Sequence, residues 1–266
     1  MPNVRAQWVL PAYLIIACLW LIMPIVIVIV LSFAGDGYVK FPPSSYSLKW
    51  FNIFFGDTRW RQSLMSSTII ALVACAISTT LGFITAYALL RGDFRGKKII
   101  LSALLSPIIA PTVITAIAMY FVTAKFGLIG NVFWIGFCHA IVALPVVLLI
   151  LISALQGVDL NFERAALGLG ASPIRVFFII VMPIAMPGVL SAALFAFLTS
   201  FDELVISLFL AGARNQTLPV RIWNSLHLEI EPVIAAAATF LIAVTGFVLL
   251  IDVSIRKMRH SNRVSS

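Results

Sequence analysis

Two carboxylates stand side by side in an apolar run, Thr199-Ser200-Phe201-Asp202-Glu203-Leu204, and Val205–Ala211 carries the run on beyond them. An acid is costly inside hydrocarbon, so a carboxylate within a membrane segment faces a cavity or a partner. Ser200, Phe201, Asp202 and Glu203 are therefore candidates for a solute path, and an anionic path favours a cationic solute. The plainer reading puts the pair near the outer interface, or against Arg214, Arg221 or a second subunit. Other chemistry-bearing residues are sparse. His139, His227 and His260 lie far apart, and His139 is alone in an apolar stretch, where a satisfied core histidine is expected. Cys18, Cys75 and Cys138 have neither metal-ligand nor redox spacing and read as small apolar side chains. The sequence has no His-Glu-x-x-His, no paired-Asp motif and no Gly-x-x-x-x-Gly-Lys-Ser/Thr phosphate loop. No enzyme activity, metal or cofactor of its own is expected.

The elements that must position these residues follow from composition. The 266 residues are 62% hydrophobic and 11% charged. A soluble domain carries about 25% charge. So little polar surface makes lipid the solvent for much of the chain. Crossing ~30 Å of hydrocarbon takes about 20 apolar residues. Six runs qualify, at 8–33, 63–90, 99–122, 132–154, 186–210 and 232–255. The first is longer than a signal core and reads as an uncleaved span. The expectation is an all-α membrane protein, a single transmembrane domain over 1–266. Pro107, Pro111 and Pro145 fall inside spans and read as packing kinks, ahead of an opening beside a cavity. Ala235–Ala238 reads as close helix packing.

Lys and Arg set the orientation. Of 18 such residues, eleven fall on one side: Arg5, Arg91, Arg95, Lys97, Lys98, Arg164, Arg175, Arg256, Lys257, Arg259 and Arg263. That side, with both termini and the second and fourth loops, is expected to be cytoplasmic. The net charge of +8 is thus orientation charge rather than a sign of nucleic acid. The loops 34–62 and 212–231 fall outside, the latter with Trp223, Asn224, Glu229 and Glu231.

The cytoplasmic loop 155–185 is long for a helix–helix connection and carries helix signals. Asp159 or Asn161 can cap a helix. Glu163 suits its first turn. Phe162, Ala165, Ala166 and Leu169 recur on one face, and Gly170 can stop it. Ser172 and Pro173 begin a second short helix, and Pro183 and Pro187 are expected to break the chain before the fifth span. Two short amphipathic helices at a bend can dock in a partner's groove. The alternative is an interfacial helix on lipid, which would carry more Lys and Arg than Arg164 and Arg175.

Arg164-Ala165-Ala166, Gly170, Ile180 and Met182-Pro183 resemble the signature loop of bacterial binding-protein-dependent ABC importer permeases: Glu-Ala-Ala, three residues, Gly, nine residues, Ile, one residue, Leu-Pro. The spacing matches throughout. Arg164 stands where Glu is usual and Met182 where Leu is usual, while Glu163 keeps an acid in the turn. The resemblance implies that Glu163, Arg164, Ala165, Ala166, Gly168, Gly170, Ala171 and Ser172 form a coupling helix. It implies docking to a cytoplasmic ATPase, with ATP and Mg held there and two ATPase subunits per complex. It also implies a second permease, a periplasmic substrate-binding protein and a multi-pass place in the bacterial inner membrane. Ser200-Phe201-Asp202-Glu203, Leu218-Pro219, Ile222 and Trp50-Phe51 resemble the second permease of spermidine/putrescine importers. That implies a polyamine or related amine as solute and a non-identical partner permease. Similar sequences also serve opines and amino-acid-like solutes. An intramembrane enzyme lacks its catalytic set here, and a self-contained channel has no use for the long cytoplasmic loop.

Overall fold

A computed structural model describes residues 4–38, 40–228 and 232–264. Glu229 and Glu231 lie outside the described residues, as do the side chains of Arg256, Arg259, His260 and Arg263. The regular elements are helices: α1 (Val4–Ser32), α2 (Lys49–Gly56), α3 (Thr58–Arg91), α4 (Lys97–Leu105), α5 (Thr112–Lys125), α6 (Val132–Gln156), α7 (Leu160–Gly168), α8 (Pro173–Val176), α9 (Met182–Phe201), α10 (Val205–Leu210), α11 (Leu218–Leu228) and α12 (Val233–Val264). This is what lipid demands, because a helix satisfies its own backbone polar groups. Five helical runs are long and apolar enough to cross a membrane, and a bent pair makes a sixth if counted as one span.

The chain forms two compact units. The larger holds 62–220 and 244–266. Its centre is the pairing of α6 with α9. Val147, Leu148, Leu151 and Leu155 on α6 are fully buried beside Ala192 and Ala196 on α9. Small residues let the backbones approach, which matters because lipid offers no hydrophobic push between helices. Gly188 of α9 sits where any Cβ would collide with Ala154 of α6. A second apolar cluster joins Ile70 of α3, Ala116 of α5, Ile135 and Cys138 of α6, and Ile206 and Leu210 of α10.

The smaller unit holds 1–61 and 221–243. Phe54, 1% exposed, packs its ring against Phe55, Trp60 and Phe240 at 4.8–5.7 Å. The loop after α1 is tied back by Gly35 N–H donating to Ser45 O at 2.9 Å and Ser47 N–H to Phe33 O at 2.7 Å. The expected long loop is partly helical, since α2 occupies 49–56 and α3 begins at Thr58. Helix α1 is apolar and outward-facing over most of its length, with Trp20 74% exposed. Ala236 and Ala237 are fully buried, as close packing requires.

Three expectations need correction. The third span is not one helix. A 3₁₀ turn follows α4, and the segments 97–108 and 112–125 meet at 99°. A packing kink is far smaller than this. Pro111 has no N–H to donate and disfavours helical backbone at Ala110. The fifth span, expected at 186–210, instead runs helically from Pro173 to Phe201 and stops before Asp202. Pro183 and Pro187 do not break it. Pro183 lies in the first turn of α9, where a missing N–H costs least. The local adjustment is a π-helical turn at Phe177–Val181. The connecting loop therefore covers only 157–172 rather than 155–185. The third correction is at 212–231, read as a loop, where α11 forms over 218–228.

Replacing Gly188 with Leu should separate α6 from α9. Overpacking of this kind costs about 1–3 kcal/mol. The expected result is a lower thermal unfolding midpoint for the detergent-solubilised protein, with Gly246→Leu, which meets open space, as the neutral comparison.

Candidate functional site

The loop after α6 is built by local rules. Asp159 caps α7, its Oδ1 accepting the Asn161 N–H at 2.9 Å. The helix runs nine residues and ends at Gly168. Gly170 turns the chain with φ +87°, which residues bearing a Cβ rarely adopt. Its N–H and that of Ala171 donate to the carbonyls of Leu167 and Ala166, closing the C-terminus. Ser172 then caps the next helix, its Oγ accepting the Arg175 N–H at 3.4 Å, with Pro173 in first place.

The helix is inside out relative to a water-soluble surface helix. Phe162, Leu167 and Leu169 point outward, Leu169 being 89% exposed. Glu163 is turned inward and buried. Arg164 and Ala165 are exposed, Ala166 half-buried. An exposed apolar stripe on so small a helix marks a contact surface. Between α7 and the following helix, Ala166, Ala171, Arg175, Val176, Ile179 and Ile180 line a groove of about 190 Å³.

Glu163 meets Arg91, the last residue of α3. Arg91 Nε donates to Glu163 Oε1 at 2.8 Å, and an Nη lies 2.7 Å from the same oxygen. The same guanidinium donates to the carbonyls of Val158 at 3.1 Å and Leu155 at 3.5 Å. Tyr87 lies one turn earlier on α3. Sequence reasoning counted Arg91 among orientation charges and missed this role. The available signal was position: Arg91 ends a span in helical register with Tyr87, whereas Arg95 and Lys98 lie beyond it and are exposed.

The acidic run divides. Ser200 and Phe201 are buried in α9, Phe201 with its ring 5.2 Å from that of Phe197. Glu203 Oε1 accepts the Ile206 N–H at 3.0 Å, satisfying a donor at the start of α10. Asp202 is exposed and hydrogen-bonds Thr245 of α12. His139, fully enclosed, spans the break in the fifth span. Its Nδ1 lies 2.8 Å from Ser200 Oγ in α9, its Nε2 3.1 Å from Ser207 Oγ in α10. It is the satisfied core histidine that its isolation suggested. A cleft of about 340 Å³ lies between α6 and α9, lined in part by Ser153, Pro187, Gly188 and Ser191.

The helices long and apolar enough to cross a membrane make this an α-helical membrane protein, with a short two-helix loop between two of its spans. Residues 78–260 match the family "Binding-protein-dependent transport system inner membrane component", and the chain belongs to it. It is a multi-pass permease subunit of an ABC importer rather than an enzyme, ATP hydrolysis in such importers residing on a separate subunit. The chain is 30% identical to a spermidine/putrescine transport system permease protein, PotC, of Haemophilus influenzae, over 94% of this chain and 97% of that one. It is 30% identical to a putrescine transport system permease protein, PotI, of Escherichia coli K12, over 93% and 90%. Among solved structures, a bacterial ABC transporter for import of the acidic polysaccharide alginate superposes with TM-score 0.72 at 15% identity, covering 96% of this chain and 98% of that chain.

The two carboxylates should behave differently. Glu203→Ala should lower stability by about 0.5–2 kcal/mol, the usual effect of losing a helix-start acceptor. Asp202→Ala should stay within about 0.5 kcal/mol, as surface changes do. Thermal unfolding of the two purified variants checks this.

Proposed function

We propose that this chain takes up a polyamine or related small amine, handed over by a periplasmic binding protein, and that α7 with the turn to Ser172 is its coupling helix. The observation that carries the docking reading is the inverted face of α7. Phe162, Leu167 and Leu169 are offered outward and the acid is withdrawn, which suits insertion into an apolar cleft on an ATPase. Glu163 has its partner within the chain, so docking does not depend on it. Arg164, in the position where an acid is usual, is the charge presented to the ATPase. A helix lying on lipid would need a basic rim, and Arg164 and Arg175 are too few for one.

The solute reading rests on the polyamine permeases that the chain resembles along nearly its whole length, and on Asp202. An exposed carboxylate at the end of α9 supplies the negative charge that a diamine or triamine needs on its way through. Ser200, Phe201 and Glu203 support it from behind, by helix packing and by fixing the start of α10. The complex holds a second, non-identical permease and two ATPase subunits, which bind ATP and Mg. Both termini face the cytoplasm, following the Lys and Arg bias.

Transport then follows from differential contacts in two states. Closure of the ATPase dimer on ATP shifts α7, and the spans open toward the binding protein. Hydrolysis returns them to the inward-open state. This chain contributes the path and the lever.

Two measurements test the reading. Ala166→Trp overfills the half-buried side of α7. It should cut uptake by roughly two orders of magnitude, the scale of a misplaced contact in a coupled step, while membrane insertion is unaffected. Normal uptake would remove the docking claim. The second is ATPase activity of the reconstituted complex with its binding protein, across polyamines, neutral solutes and anions. Spermidine or putrescine should stimulate it, and Asp202→Asn should weaken that response about five- to tenfold, the loss of one charge-assisted contact. Stimulation by a neutral or anionic solute alone would end the polyamine reading.

A further inference from the structure

The covalent chain joins α7 to two spans only, α6 before it and the 173–201 helix after it. Arg91 adds a third. Its guanidinium closes α3 and grips α7 through Glu163 Oε1 at 2.8 Å. It also grips the chain leaving α6 through the carbonyls of Leu155, in its last turn, and Val158, just beyond it. The Val158 N–H already donates to the Leu155 carbonyl at 3.1 Å, and the cation adds a second partner there. Only a planar, forked cation can reach a carboxylate and two carbonyls at once; an ammonium is a single point. The pair is sequestered, with 15% and 8% of the two side chains exposed.

We propose that Arg91 is a positioning residue, the joint through which motion of the coupling helix reaches α3. It touches neither solute nor ATPase. Parting it from Glu163 would strand a buried charge, which is strongly unfavourable. Any displacement of α7 therefore carries the end of α3 with it. The inference rests on the docking reading of α7 and adds the route by which docking moves the second span. Arg95 and Lys98 share the sign of charge but stand exposed beyond the end of α3, so charge on this side of the membrane does not by itself make the joint.

The test uses the complete complex in proteoliposomes, with ATP hydrolysed and solute accumulated measured together. Arg91→Lys keeps the charge and loses the fork. Glu163→Gln keeps the size and loses the charge. Each should raise the ATP hydrolysed per solute moved by roughly fivefold or more, the lower range of coupling between linked sites. The double variant should be no worse than the more affected single one, because both remove one contact. Lys98→Gln should leave the ratio alone. A ratio unchanged while both rates fall together would mean less folded transporter, and would overturn the proposal. So would a double variant whose ratio is the product of the singles. Co-purification of the ATPase with Ala166→Trp separates the two claims. If the ATPase is lost there while Arg91→Lys and Glu163→Gln keep a normal ratio, the joint falls and docking stands. If Ala166→Trp keeps both ATPase and uptake, docking falls and takes the joint with it.

Discussion

The Arg91 guanidinium sits where three helices end, and each of its acceptors makes the others tolerable. A buried carboxylate alone would be prohibitive, and so would a buried cation. Together, with the carbonyls of Leu155 and Val158, they close a small polar network at the edge of an apolar bundle. Such a network gains from low dielectric when complete and loses heavily when one member is missing. The arrangement of the 157–172 loop depends on it. With Glu163 drawn inward, the register of α7 is fixed, and helical geometry then turns Phe162 and Leu169 outward.

That inversion leaves apolar side chains of the loop exposed. In a water-facing helix the acid would be outside and the leucines inside. Here the ion pair decides the rotation, and the apolar residues are left for a partner to cover. The loop ends are closed locally, by Asp159 and Ser172 at helix starts and by Gly170 at the reversal. The surface is therefore presented on a short, rigid frame. Beneath it, the π-helical turn at Phe177–Val181 leads into α9, and Gly188 lets α9 lie directly on α6. A shift at the loop meets close-packed helices, which transmit displacement instead of absorbing it.

The run at 200–204 is organised differently. His139 ties α9 to α10 across the break at 202–204 through two serine hydroxyls, and Glu203 fixes the first turn of α10. Asp202 is the member of the run left open. The fold is shared with an alginate importer at 15% identity, so architecture alone does not choose a solute. The choice lies in a few side chains held on that common frame.

Much was legible in the residues. Low charge and six apolar runs specify a helical membrane protein, because lipid permits no unsatisfied backbone. Asp159, Ser172 and Pro173 take the capping places that their chemistry suits, so the two short helices of the loop are local consequences of its residues. The solitary His139 reads correctly as a core histidine. Other features depend on distant chain segments. Pro111 stands at a 99° break while Pro145 and Pro187 lie inside continuous helices, so a proline alone does not tell a break from a kink. That Pro183 leaves the helix intact goes with the π-helical turn just before it. Above all, Arg91 and Glu163 are 72 positions apart. Sequence periodicity gives the faces of a helix but not which one a remote partner will claim. The sequence by itself determined the solvent, the spans and the loop, all consequences of local composition and spacing. The tertiary structure alone decided which way α7 faces, because an ion pair between residues so far apart in the chain exists only once the spans have packed.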